Sequence, residues 1–149
     1  MKLMVVGCGR VGAELALSLQ GDHQVAVVDV RAEAFDRLGP DFVGRTIQGD
    51  GLDREALLRA GIETADGLAA VTASDNVNAI VARIAQSIFG VERVVARLYN
   101  PRREPVYRKL KIRTISSSSW GAHRIEELLT QQELRRPTSA GRWIWQSKE

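Results

Sequence analysis

The chain has 149 residues, is 44% hydrophobic, holds one cysteine and carries a formal net charge of +3. This is the length of one ordinary domain, and the apolar share is enough to bury a core without disulfides or structural metals. No run approaches the roughly 18–20 apolar residues of a membrane span, no signal peptide is expected, and the single cysteine fits a reducing, cytoplasmic setting.

A strand is expected over Lys2–Val6, then the turn Gly7-Cys8-Gly9-Arg10-Val11-Gly12, then a helix over Val11–Gln20 ended by Gly21. Gln24–Val28 reads as the second strand and Arg31–Leu38 as the second helix, stopped by Gly39-Pro40. Arg45–Gln48 is the third strand; the helix Asp53–Ala60 follows, with Asp53 as N-cap and Gly61 behind it. Gly67–Val71 precedes a long helix over Asn76–Phe89, with Asp75 as its expected N-cap and Gly90 after it. Arg93–Arg97 is the fifth strand, and Pro101 opens the helix Arg102–Lys109, where a missing N–H costs nothing. Arg113–Ser116 is the last strand, Ser116–Ser119 a loop and helix start, and Gly121–Leu134 the final helix. Beyond it, RRPTSAGRWIWQSKE reads as a linker with a strand-like tip over Trp143–Trp145, whose tryptophans want a surface to bury against.

Short apolar strands alternating with helices predict an α/β fold: a Rossmann-like, doubly wound, parallel six-stranded sheet in the order 3-2-1-4-5-6. The expected domain is 1–134, with 135–149 as a tail or the start of a further domain.

Gly7-x-Gly9-x-x-Gly12 between a strand and a helix is the dinucleotide-binding fingerprint in its proper context. Gly7 permits the tight turn, Gly9 lets a diphosphate approach the main chain, and Gly12 lets the helix pack against the sheet. The helix start at Arg10 and Val11 then offers N–H groups and positive dipole to phosphates. A tight turn without ligand is the competing reading. Asp29 ends the second strand, 22 positions after Gly7, where a carboxylate accepts ribose hydroxyls and repels a 2′-phosphate; NADP is therefore disfavoured. Val30 and Arg31 follow it, and Asp29 equally suits a cap on the next helix.

Gly49-Asp50-Gly51 follows the third strand, beside the expected adenine pocket. Asp50 either positions the base or simply makes an Asp-Gly turn. Thr72-Ala73-Ser74-Asp75-Asn76 follows the fourth strand across the switch point, with Thr72, Ala73, Ser74 and Asn76 as candidate contacts and helix capping as the alternative. Arg97 ends the fifth strand at the ligand edge, and with Arg10 it points to a phosphate-rich ligand.

Residues 1–75 hold 7 basic and 12 acidic side chains, and residues 76–149 hold 14 and 6. A basic half attracts nucleic acid or acidic partners in principle, but few aromatics lie among its cations, and no helix-turn-helix is evident. A redox-sensing DNA-binding regulator is therefore the least favoured class, and no nucleic-acid partner is expected. His23 reads as a loop residue away from the ligand edge, and His123 has no telling neighbour. Cys8 is open to activation by the helix N-terminus but has no second cysteine to resolve a redox cycle. No catalytic residue and no metal-ligand cluster stands out, so the chain reads as a nucleotide binder without chemistry. The cofactor domain of a small NAD-dependent oxidoreductase is the alternative.

The segments MKLMVVGCGRVGAELALSL, HQVAVVDV, IQGDGLD, VTASDNVNAI and VVARLYNP, in this order and spacing, resemble the N-terminal RCK domain, also called TrkA-N or KtrA-like, of potassium transporters and channels. The resemblance spans roughly residues 1–130. It implies a non-enzymatic domain that binds NAD(H), ATP or ADP, forms homodimers or rings, and gates a K+-translocating membrane subunit of Trk or Ktr type. It implies a cytoplasmic location, peripheral on the inner face of the membrane through that partner. By position, Gly7, Gly9, Arg10 and Gly12 would hold phosphates, Asp29 ribose and Asp50 the adenine side. Ala73, Ser74 and Arg97 would complete the cleft, and a crossover helix near Trp120–Leu134 would meet a partner subunit.

Overall fold

The computed structural model describes residues 1–130. Met1–Ser117 forms one compact unit and Ser118 begins a second. The first unit is built on six parallel strands: β1 Lys2–Val6, β2 Gln24–Asp29, β3 Arg45–Gln48, β4 Gly67–Ala70, β5 Arg93–Arg97 and β6 Arg113–Ile115. Their order is β3-β2-β1-β4-β5-β6, the Rossmann-like arrangement that the alternating pattern predicts. Val5 pairs with Val27 of β2 on one side and with Ala69 of β4 on the other, so β1 is central.

Alternation along the central strands supplies two cores. Met4, Val6, Ala26 and Val28 face one side and pack with Leu57, Val81, Ala82 and Ala85. Those partners come from helices α2 (Arg54–Ala60) and α3 (Asp75–Ser87). Val5, Val25 and Val27 face the other side and pack with Ala13 and Ala16 of α1 (Arg10–Leu19) and with Ala34 and Leu38. A strand covered on both faces must be apolar at every position, which is why β1 and β2 read as unbroken hydrophobic runs.

The differences from the expected elements are local. The segment expected as a helix over 31–38 is a 3-10 helix, Ala32–Leu38. It runs between extended Arg31 and Gly39, whose φ of +68° turns the chain away. The helix expected at 102–109 is a 3-10 turn, Pro101–Arg103, running into α4 (Glu104–Lys109). Asn100 caps that turn by accepting from the Arg102 N–H at 3.1 Å. The first helix ends at Leu19 with Gln20 as its C-cap, and Gly21 follows it as expected.

The N-cap of α3 is Ser74 rather than Asp75: the Ser74 hydroxyl accepts from the Val77 N–H at 3.4 Å. The final helix α5 runs from Ser117 to Thr130 within the described residues, starting earlier than Gly121. It carries an Arg124–Glu127 ion pair at 3.0 Å and places His123 3.4 Å from Glu127. The expected tail over 135–149 lies outside the described residues.

Among the described glycines, Gly12 has the closest neighbour. A Cβ there would sit 1.8 Å from the Gly7 carbonyl oxygen and 3.2 Å from Val71 Cγ2. The main chain of Gly7 cannot yield as a side chain would, so Gly12→Ala is expected to lose about 3 kcal/mol, read as a lowered urea midpoint.

Candidate functional site

The carboxyl ends of β1, β2, β4 and β5 border one cleft of about 730 Å³. Strand order reverses here, with β2 and β4 leaving to opposite sides of β1, and neighbouring connections diverge to leave a crevice.

The glycine turn forms its base. Gly7 has φ of +103°, and a Cβ on it would lie 2.8 Å from the Thr72 nitrogen, so only glycine fits both the dihedral and the approach to β4. Gly9 is the opposite case, with no atom within 4 Å of where its Cβ would stand. It is the N-cap of α1 and supplies no side-chain acceptor, leaving the first-turn N–H groups uncapped where Gly9, Arg10 and Val11 line the cleft. Gly12 lies beneath this surface, and its contribution is the close helix packing described above.

Asp29 faces this turn from the end of β2. Its Oδ2 accepts from the Cys8 N–H at 2.7 Å and its Oδ1 from the Arg31 N–H at 2.9 Å. Arg31 Nε also stands 3.8 Å from Oδ1. The carboxylate therefore holds the turn and the following loop at once, and each oxygen keeps accepting capacity for a further donor. Val30 and Arg31 continue the same wall. On the third strand's loop, Asp50 Oδ1 accepts from the Leu52 N–H at 2.9 Å, an Asx turn that leaves the carboxylate exposed at the cleft. Gly51 is needed by packing, since its Cβ would stand 2.4 Å from Val6 Cγ1.

The opposite wall is Thr72, Ala73 and Ser74 with Arg97 and Tyr99. Arg97 Nε donates to the Ser117 hydroxyl at 2.9 Å, and its guanidinium lies 4.2 Å above the Tyr99 ring. Asp75 does not cap; its two oxygens accept from the Tyr99 and Asn100 N–H groups at 2.7 and 3.1 Å. Asn76 falls outside the cleft, with its oxygen taken by Arg103 Nη1 at 3.0 Å. Sequence reasoning missed Tyr99 and the buried Asn78 behind this wall. The signal for Asn78 was available: it lies among Ala79, Val81, Ala82 and Ala85 on the buried face of α3, where a polar residue needs a partner.

A smaller hollow of about 380 Å³ lies at the opposite edge of the sheet, near His23. Its cations are already engaged, Lys2 Nζ with Thr64 Oγ1 at 3.3 Å and Arg45 Nη2 with the Arg59 carbonyl at 2.7 Å. The larger cleft is the one where open N–H groups, carboxylates and cations converge.

A family model described as the TrkA-N domain matches residues 3–118. The Trk system potassium uptake protein TrkA of Streptomyces coelicolor is 49% identical over 123 residues, covering 82% of this chain and 55% of that protein. This chain thus spans only about half of that relative. Among solved structures, the TrkA-N domain of the inner membrane protein ybaL from Escherichia coli superposes with a TM-score of 0.76 at 20% identity, over 86% of this chain and 96% of that one. GsuK is similar at 22% identity both as the channel bound to NAD and as a structure bound to ADP. The TM-scores are 0.74 and 0.72, over 92% and 87% of this chain and 26% and 34% of those chains.

Cys8, open in sequence to activation by the helix N-terminus, is instead fully buried. Burial pushes its thiol up from the ordinary range, the Asp29 carboxylate adds to this, and Arg37 opposes it. Both access and thiolate fraction are reduced, so maleimide labelling of the native protein at neutral pH is expected to be about tenfold or more slower than in urea. Equal rates would contradict the buried placement.

Proposed function

The chain belongs to the TrkA-N domain family, and from that premise we propose that it is a nucleotide-sensing regulatory domain of a potassium uptake system. It binds an adenine nucleotide, NAD(H), ATP or ADP, in the cleft at the carboxyl edge and passes the binding state to a K+-translocating membrane subunit. It catalyses no reaction itself and acts in the cytoplasm, as part of a homodimer or ring.

One observation carries this reading: the cleft joins an uncapped helix start flanked by Arg10 and Arg97 to a carboxylate, Asp29, fixed on the glycine turn. The first phosphate of the ligand rests on the N–H groups of the α1 first turn, where the dipole favours negative charge. The second reaches toward Arg97. Ribose hydroxyls donate to Asp29, and the base lies toward Asp50 and Gly51. Support for the ligand class comes from GsuK, solved with NAD and with ADP on the same fold. A 2′-phosphate would meet the Asp29 carboxylate, which disfavours NADP.

Regulation follows by linkage. A ligand shifts an equilibrium between two assembly states only by the difference of its affinities for them. Ligands that share the adenosine and differ in what extends past the first phosphate differ at Arg97, which is where such a difference would arise. Among the described residues no helix is long and apolar enough to cross a membrane.

The test is thermal unfolding with ATP, ADP, NAD+, NADH and NADP+ at matched concentration. A ligand at a hundred times its Kd stabilises by about 2.7 kcal/mol, a clear rise in melting temperature. A rise with one or more of the first four, a smaller one with NADP+ and no NADH turnover are expected. No rise with any, or NADH oxidation by a small carbonyl, would overturn the reading. Gly9→Ala separates binding from stability. Its Cβ meets nothing in the protein, so unliganded melting should stay within a few degrees while nucleotide affinity falls about tenfold.

A further inference from the structure

The pairing of β4 with β5 runs as far as Ala70 opposite Ala96. Beyond that point the strands part to form the far wall of the cleft, and their main-chain polar groups need new partners. One side chain supplies them. Asn78 Nδ2 donates to the Thr72 carbonyl at 3.0 Å and to the Arg97 carbonyl at 2.9 Å. Its Oδ1 accepts from the Thr72 N–H at 2.8 Å and from the Thr72 hydroxyl at 2.7 Å. The orientation of the amide is fixed by its partners, because carbonyls require the nitrogen and an N–H requires the oxygen. Asn78 thus acts as an inserted peptide unit between two strands that no longer touch.

Asn78 is fully buried among apolar neighbours, and burying a carboxamide there costs free energy unless every bond is made. All four bonds go to Thr72 and Arg97, and none goes to the glycine turn, Asp29 or Asp50. The network extends one step further: the Thr72 hydroxyl, with its proton given to Asn78, accepts from the Ser74 N–H at 3.3 Å. The loop carrying Ala73 and Ser74 and the main chain of Arg97 are therefore tied together by one residue that does not line the cleft.

We infer that Asn78 is a positioning residue for the part of the ligand beyond its first phosphate. It holds Thr72 and Arg97 at the separation that places the guanidinium for the second phosphate of a nucleoside diphosphate. This rests on the nucleotide reading above and adds a residue and a selectivity to it. Removing the clamp loosens only the far wall, so ligands that stop at the first phosphate do not register the change.

The test is calorimetric titration of ADP and of AMP into the wild-type and Asn78→Asp proteins. Aspartate keeps the shape and the acceptor for Thr72 but sets a carboxylate oxygen against two carbonyls. The expected result is about tenfold weaker binding of ADP with AMP within about twofold of wild type, the scale of one or two lost hydrogen bonds. A merely structural role would lower the melting temperature and leave the ADP-to-AMP affinity ratio unchanged, and that result overturns the inference. If Asn78→Asp does not fold, Asn78→Ser is read by the same ratio. Should that protein fail to fold too, Asn78→Ala, which removes the carboxamide and all four of its bonds, decides by the same ratio. Wild-type protein that binds neither ligand overturns the nucleotide reading, and this inference with it. Wild-type binding with an unchanged ratio in the variant overturns this inference alone.

Discussion

Helix α1 starts almost in contact with the strand it follows. With the Gly7 carbonyl filling the space a Cβ on Gly12 would need, the helix can begin only where both positions lack a side chain. This closeness brings the α1 start to the carboxyl end of the central strand. The usual means of capping is also absent, because the N-cap is Gly9 and no side chain reaches back over the first turn. A fold that satisfied these N–H groups internally would have no cleft chemistry; this one keeps them available and stabilises the turn from outside. Asp29 does that work, with one oxygen on the Cys8 N–H and the other on the Arg31 N–H. The charge that holds the turn together is thus a charge already in the cleft.

The other wall solves a related problem. Strands that diverge to make a crevice expose main-chain groups that a continuous ladder would pair, and unpaired groups of this kind are costly when buried. Here α3 pairs them with its own first turns. Asp75 takes two N–H groups of the β5–α4 connection, and Asn78 takes the Thr72 N–H and the Thr72 and Arg97 carbonyls. Each residue gives up its generic role to do so: Asp75 is not the N-cap, and Asn78 is not part of the apolar packing around it. Ser74 fills the capping position that Asp75 leaves.

This explains what the sequence disclosed and what it concealed. Strand order was legible because each strand is a short apolar run with turn residues at its end, and parallel crossovers leave few arrangements. The two functions of Gly7 and Gly12 were legible because a Gly-x-Gly-x-x-Gly spacing between strand and helix has a specific steric meaning. Adjacent Ser and Asp both make good caps, so choosing between Ser74 and Asp75 required knowing that Tyr99 and Asn100 offer Asp75 better donors. The partners of Asn78 lie 6 and 19 positions away, the latter on another strand. The burial of Cys8 was hidden for the same reason: its position at a helix start was visible, but its complete burial comes from packing with Val5, Val27 and Val71. Asn76 was assigned to the cleft by its neighbours in sequence, whereas the helix turns it toward Arg103.

Arg97 is where these constraints meet. Its carbonyl is held by Asn78, its Nε by the Ser117 hydroxyl and its guanidinium face by Tyr99, whose own N–H is held by Asp75. A long, flexible cation in water loses rotamer entropy when it grips an anion. Here that loss is already made, because stacking and a directional hydrogen bond confine the group before any ligand arrives. Preorganisation of this kind leaves more of the interaction energy for affinity. The Ser117 hydroxyl thus fixes the Nε side of the group while the Tyr99 ring fixes its face, and the remaining guanidinium N–H groups stay directed at the cleft wall that Thr72, Ala73 and Ser74 complete.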